Sequence, residues 1–207
     1  MTLTVRELGS NDLAEVIAVL TRGMRDNPLH ISALGPDGKI RAQRLHRMFA
    51  LVISMIRRKG VLLGAFAGST LTGVAGMVPP GRCRPTLMEN VTLLPRLLPA
   101  IGLPAFGRVG RWLAAWGGHD IVEPHWHLGP VAVDAHLQGQ GIGSALLTEY
   151  CVRLDELAGV GYLETDKQQN LAFYEKFGFR IVGEESVLQT PNWFMRRPSQ
   201  DDRRRAR

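Results

Sequence analysis

The sequence predicts an α/β chain, an α+β mixed sheet flanked by helices. Three observations carry this. Residues 131–147 read as the end of a strand, a glycine loop and the start of a helix. Upstream, apolar residues recur at helical spacing in two stretches and fill strand-length runs in three others. Between them, residues 79–122 are rich in proline and almost free of acids.

The length of 207 residues and 45% hydrophobic content are enough for a full core, so one domain over 1–197 is expected. No apolar run reaches the ~20 residues of a membrane span. The opening Met-Thr-Leu-Thr-Val-Arg-Glu-Leu lacks the apolar stretch of a secretory signal. Two cysteines, Cys83 and Cys151, make no disulfide framework, so a cytoplasmic location is expected. The formal charge is +6, and residues 196–207 hold a net +4 of it. A basic, disordered tail over 198–207 is expected, with nucleic-acid binding not expected.

Val5 to Leu8 reads as an edge strand. Asn11-Asp12 can cap a helix with Leu13, Val16, Ile17 and Leu20 on one face, ending near Asn27-Pro28. Residues 29–39 read as a loop, and 40–58 as a second helix with Ile40, Leu45, Met48, Phe49, Val52, Ile53 and Ile56 inward. Val61–Phe66 and Leu71–Val78 form a hairpin around Ala67-Gly68-Ser69-Thr70. In 79–122, Pro95, Pro99 and Pro104 are expected to break the chain into two or three short helices. This insertion reads either as a helical layer over the sheet or as the wall of an acceptor pocket. Residues 123–133 form a central strand. If it is regular, His125, His127, Val131 and Val133 face one way and Trp126, Leu128 and Ala132 the other. Gly129-Pro130 predicts a splay or bulge there.

Gln138-Gly139-Gln140-Gly141-Ile142-Gly143 is followed by Ser144 at the head of a helix. Glycines let backbone approach a ligand closely, and free N–H groups at a helix start favour an anion. No lysine follows as in a Walker loop, and the spacing is not that of a Rossmann fingerprint. Downstream stand Leu163-Glu164-Thr165-Asp166, Asn170 and Phe173-Tyr174-Glu175-Lys176-Phe177-Gly178-Phe179.

These motifs, in this order, resemble the GCN5-related N-acetyltransferase (GNAT) superfamily over residues 125–197. The resemblance implies a GNAT-like acyl-CoA N-acyltransferase fold, with a helical insertion between the third and fourth strands and acetyl-CoA as co-substrate. The His125-Trp126-His127-Leu128 strand is most similar to puromycin N-acetyltransferase-like members. The cofactor site it implies comprises Val131, Ala132, Val133, Gln138, Gly139, Gln140, Gly141, Ile142, Gly143, Ser144, Asn170, Phe173 and Tyr174. The pyrophosphate would rest on the loop, the thioester carbonyl on N–H groups near Val133, and the pantetheine arm on Asn170.

Acetyl transfer to an amine needs a polarised carbonyl, a deprotonated amine and a proton for the leaving thiolate. A phenol of pKa ~10 can protonate a thiolate of pKa ~8.5, and the resemblance places Tyr174 beside the sulfur. Tyr174 can equally pack against the sheet, and Asn170 can equally cap a helix. Glu164 is the candidate base, with His127 and His125 as alternatives, although Glu164 can simply pair with a cation. Cys151 sits among core positions and is not taken as a nucleophile. No Cys/His cluster shows metal spacing, so no metal is expected. The expected activity is transfer of acetyl to a primary amine of a small molecule within a ternary complex. A protein or peptide N-acetyltransferase and a non-catalytic acyl-CoA-binding module are the alternatives. Oligomeric state is open.

Overall fold

The computed structural model describes residues 3–205. Seven strands form one sheet in the order β1-β2-β3-β4-β5-β7-β6. They are β1 (Leu3–Glu7), β2 (Val61–Ala67), β3 (Thr70–Val78), β4 (Trp126–Val133), β5 (Gly161–Thr165), β6 (Arg180–Val187) and β7 (Thr190–Arg197). All neighbouring pairs are antiparallel except β4 and β5.

Helices α1 (Leu13–Met24), α2 (Pro28–Leu34) and α3 (Gly38–Lys59) lie between β1 and β2. The segment expected as a loop from 29 to 39 thus contains α2. Proline stops a helix before it but is preorganised for the first helical turn, and Pro28 begins α2 behind Asn27. Asp37 caps α3 by accepting from Lys39 N at 2.9 Å and Ile40 N at 2.8 Å, a contact worth about 1 kcal/mol. Arg41, buried, ties the α1–α3 connections together. It donates to the carbonyls of Arg25, Gly35 and Pro36 and to Asp26 Oδ1 at 2.6–2.8 Å.

The insertion between β3 and β4 forms two helices, α4 (Leu87–Ile101) and α5 (Leu103–His119). Pro95 and Pro99 lie inside α4 rather than breaking it. They are four residues apart on its exposed face, where the carbonyls they leave unpaired can meet water. Thr86 and Glu89 close a capping box at its start. Pro104 sits in the first turn of α5.

Two cores flank the sheet. One gathers α1, α2, α3, α4 and α5, with Leu20, Leu34, Leu45, Ile53, Val74 and Ala132 buried. The other lies under α6 (Ile142–Glu156) and α7 (Leu171–Glu175), with Leu63, Met77, Leu128, Leu146, Tyr150 and Phe179. Leu128 and Ala132 therefore face opposite sides, unlike the regular-strand expectation. The register against β3 shifts between Ala75 and Met77, opposite Gly129-Pro130, and proline cannot supply a ladder donor. That shift puts Val131 and Val133 against the α6 core while His127 looks toward the insertion, where it packs edge-on against Tyr162.

The expected disordered tail is instead folded at its start. Gln200–Arg205 form α8. Arg203 reaches Asp155 at 2.6 Å, and Ser199 is buried. The two arginines ending β7 belong to the fold as well. Arg197 is buried on Asp155, and Arg196 binds Glu123.

Candidate active site

β4 and β5 pair only at Trp126↔Gly161 and His127↔Tyr162. Beyond that the strands part. Asp134 N donates to Thr72 O at 2.9 Å on the β3 side. Because antiparallel donors alternate, the N–H groups of Val133 and Val131 point into the gap.

The glycine loop closes one side of this gap. Gly139 and Gly141 adopt φ of +80° and +83°, a region costly to residues with a Cβ. Gly141 caps α6 without any side chain, so the first N–H groups of the helix stay open to a ligand. The Gln138 amide donates to the carbonyls of Gly23 and Val133 at 3.4 and 3.3 Å, tying loop, α1 and β4 together. Asp134, at the end of β4, receives Arg22 from α1 at 2.5 Å. Burial opposes ionisation of its carboxyl, but Arg22 and His136 outweigh this and hold it below the usual carboxylate range.

These elements enclose a cavity of about 520 Å³. Of the predicted cofactor residues, Val131, Ala132, Val133, Gln138, Gly139, Gly141, Ile142, Gly143, Ser144, Asn170, Phe173 and Tyr174 line it. Gln140 does not. Sequence reasoning missed Gly23, Met24 and Asn27 at the end of α1, and Lys167, Gln169 and Lys176 around α7. The two lysines suit a polyanionic ligand. Their position beside Asn170 and Phe173 in the motif was the available signal.

Tyr174 is buried, its ring packed against Phe173 and Phe179. Its hydroxyl makes no hydrogen bond among the described residues, and the side chain lines the cavity. Burial, with a smaller contribution from Asp166, pushes the phenol up, so it carries its proton at neutral pH. Asn170 precedes α7 but makes no side-chain cap. Its amide donates to Thr165 Oγ1 at 3.3 Å instead, and the residue lines the cavity.

Glu164 and His127 are brought together on the insertion side of β4 and β5, outside the lining of the 520 Å³ cavity. Glu164 Oε2 lies 3.1 Å from His127 Nε2, and the glutamate side chain is 6% exposed. Burial disfavours charge on His127, but Glu164 and Cys83 outweigh it and raise the ring to about 10. That favours the charged ring, which counts against His127 as the simple base expected from sequence. Cys83 joins it from the start of the insertion, as does His125, whose Nε2 is 3.9 Å from Cys83 Sγ. Burial opposes the thiolate, but the two histidines bring Cys83 down to about 7. This Cys83–His125–His127 cluster has ligand atoms within 4.8 Å of one another. Sequence spacing gave no sign of this grouping, whose ligand types could hold a metal ion. Cys83 lies 42 positions before His125, so only the fold brings it to the two histidines. Cys151 is buried and its thiol raised, chiefly by burial, as its core reading requires.

Strand splay, glycine loop and tyrosine-bearing helix form one cavity, and comparisons with known proteins identify the arrangement. Residues 106–181, from α5 to the start of β6, match the family model described as an acetyltransferase (GNAT) domain. It is the GNAT acetyltransferase fold. A structure described as histone acetyltransferase HPA2 and related acetyltransferase, from Corynebacterium glutamicum, superposes at TM-score 0.76 with 23% identity, over 96% of this chain and 97% of that one. The PaiA N-acetyltransferase of Thermoplasma acidophilum, solved in complex with coenzyme A, gives 0.58 and 15% over 96% and 99%. The polyamine N-acetyltransferase of Drosophila melanogaster, which catalyses formation of N-acetylagmatine, gives 0.63 and 11% over 94% and 99%. Family match and GNAT fold together support an acetyl-CoA-dependent N-acetyltransferase, with acetyl-CoA as co-substrate. The narrower likeness to puromycin N-acetyltransferase-like members gains no support from these relatives. No helix among the described residues is long and apolar enough to cross a membrane.

Proposed function

We propose that this protein transfers the acetyl group of acetyl-CoA to a primary amine of a small molecule, by direct attack within a ternary complex. The observation that carries the reading is the cavity itself. There the splayed β4, the glycine loop and the Tyr174 hydroxyl share one 520 Å³ space. The loop from Gln138 to Ser144, with Lys167 and Lys176, would hold the pyrophosphate. N–H groups of Val131 and Val133 would polarise the thioester carbonyl. The amine nitrogen forms its bond to the carbonyl carbon, the C–S bond breaks, and Tyr174 passes its proton to the leaving thiolate. The amine's proton leaves toward the buried Glu164 on the far side of the strands, directly or through water.

A second cavity, of about 450 Å³, supports a small acceptor. It lies between α2, α5 and the β6–β7 turn and is lined by Ser32, Arg108, Arg111, Glu185 and Gln189 among others. Arg108 and Arg111 belong to the insertion, in keeping with its reading as an acceptor wall. Both signs of charge meet there, so an acceptor carrying an anionic group as well as its amine fits best. Acceptors named for the structural relatives include agmatine-type amines, so polyamines belong in the test. The purified protein is given acetyl-CoA and an amine panel of polyamines, aminonucleosides, amino-acid-like amines and short peptides, and acetylated product is read by mass. A small amine turned over in preference to peptides is expected. Turnover of long peptides alone would refute the small-molecule reading.

A further inference from the structure

We propose that Cys83, His125 and His127, with Asp120 beside His125, bind a divalent transition-metal ion, zinc by its ligand preference, which clasps both ends of the 79–122 insertion to β4. The inference does not rest on the acetyl-transfer reading.

His125 immediately precedes β4 and His127 lies within it, and both rings pack against Tyr162. Cys83 arrives from the turn after β3 and Asp120 from the end of α5. His125 Nδ1 is 2.9 Å from the Glu123 carbonyl oxygen. A proton on Nδ1 leaves the Nε2 lone pair free, the arrangement that supports metal-binding histidines. Two acceptors then converge on that same nitrogen, Cys83 Sγ at 3.9 Å and Asp120 Oδ1 at 3.0 Å. Asp120 Oδ1 is buried without a hydrogen-bond partner among the described residues. Its other oxygen is held by Arg84 at 2.9 Å. A proton on Nε2 can serve one of these acceptors, whereas a cation serves both.

The geometry also argues against a nucleophile triad. There the thiol and the orienting acid occupy opposite ring nitrogens. Here they share one, and the other is taken by a backbone carbonyl. Tetrahedral zinc, with Zn–N and Zn–O near 2.0–2.1 Å and Zn–S near 2.3 Å, separates neighbouring ligand atoms by about 3.3–3.6 Å. The spacings around His125 Nε2, 3.0 and 3.9 Å, straddle that range, and the ligand atoms of Cys83, His125 and His127, within 4.8 Å of one another, draw together on binding. A thiolate, two imidazoles and a carboxylate are the ligand types zinc takes. On binding, the Cys83 thiol and the protonated His127 ring each release a proton to solvent, and His127 gives up its contact with Glu164.

The test uses the full chain, stripped by chelator and titrated with cobalt(II) as a spectroscopic stand-in for zinc. One equivalent of cobalt should produce tetrahedral ligand-field bands in the visible and a thiolate-to-cobalt band in the near ultraviolet. Cys83→Ser should lose the thiolate band and weaken zinc binding by more than the ~10–100-fold typical of a supporting residue. In the unmodified protein, zinc should slow alkylation of Cys83, mapped by peptide mass, and chelator should restore it. That second readout holds even if the variant folds poorly. No thiolate band at stoichiometric cobalt, or Cys83 alkylation unchanged by zinc, overturns the proposal.

Discussion

Gly143→Ala separates the two roles of the glycine loop, because its effects on fold and on ligand should have opposite signs. Gly143 is the second residue of α6. A Cβ there would meet Phe173 Cζ at 3.4 Å and Val133 Cγ2 at 3.8 Å, ordinary contacts that need no rearrangement. Glycine inside a helix costs roughly 0.5–1 kcal/mol relative to alanine. The variant should therefore be as stable as the parent or gain up to about 1 kcal/mol, a rise of up to ~2–4 °C in Tm for a chain of this size. Both neighbours of the new methyl line the cofactor cavity, so the methyl enters the space the ligand needs. If it displaces the pyrophosphate from one charge-assisted N–H bond, the loss is about 1.5–3 kcal/mol. That corresponds to about a 10- to 150-fold rise in Kd for acetyl-CoA. Differential scanning calorimetry and isothermal titration read the two effects on the same preparation. Unchanged affinity would show that the anion does not rest on this end of the loop. A joint fall in Tm and affinity would refute the claim that the backbone tolerates the methyl.

Tyr174→Phe removes a hydroxyl that bonds to no described protein group, so Tm and acetyl-CoA affinity should hold while kcat falls about 10²- to 10⁴-fold. Thiol-release kinetics check this, and a kcat within threefold of the parent would remove Tyr174 as proton donor. Acid stability is set in part by Asp134 and Asp155. Hydrogen bonds from Arg197 hold Asp155 below the usual range, and Arg22 and His136 do so for Asp134 against the opposing effect of burial. Their folded pKa lies below the unfolded value of about 3.9. Their contribution is thus full above pH ~4 and is lost as pH falls through the folded value. Asp155→Asn should lower Tm at neutral pH and flatten its decline between about pH 4 and 2. An unchanged slope would mean the pair contributes nothing.

The parts of the site that depend on neighbours in sequence were legible. Strand end, glycine loop and helix start all fell within seventeen residues, and twelve of the thirteen expected cofactor positions line the cavity. What failed was non-local. Met24, Asn27 and Gly23 reach the cavity only because α1 lies across the end of β4, which no spacing reveals. Cys83 and the strand histidines converge through the return path of the insertion. Proline misled twice. Pro28 reads as a stop but opens α2, and Pro95 and Pro99 read as breaks but sit on the wet face of α4. In both cases what counts is whether the missing donor or freed carbonyl has water beside it, and that is decided by packing.

The central claim is that the 520 Å³ cavity binds acetyl-CoA through its pyrophosphate end. Isothermal titration of the purified protein with acetyl-CoA, CoA and ATP in parallel tests it most directly. The account predicts one site per chain for both CoA species and no comparable binding of ATP. Heats absent for acetyl-CoA, or ATP bound as tightly, would contradict it.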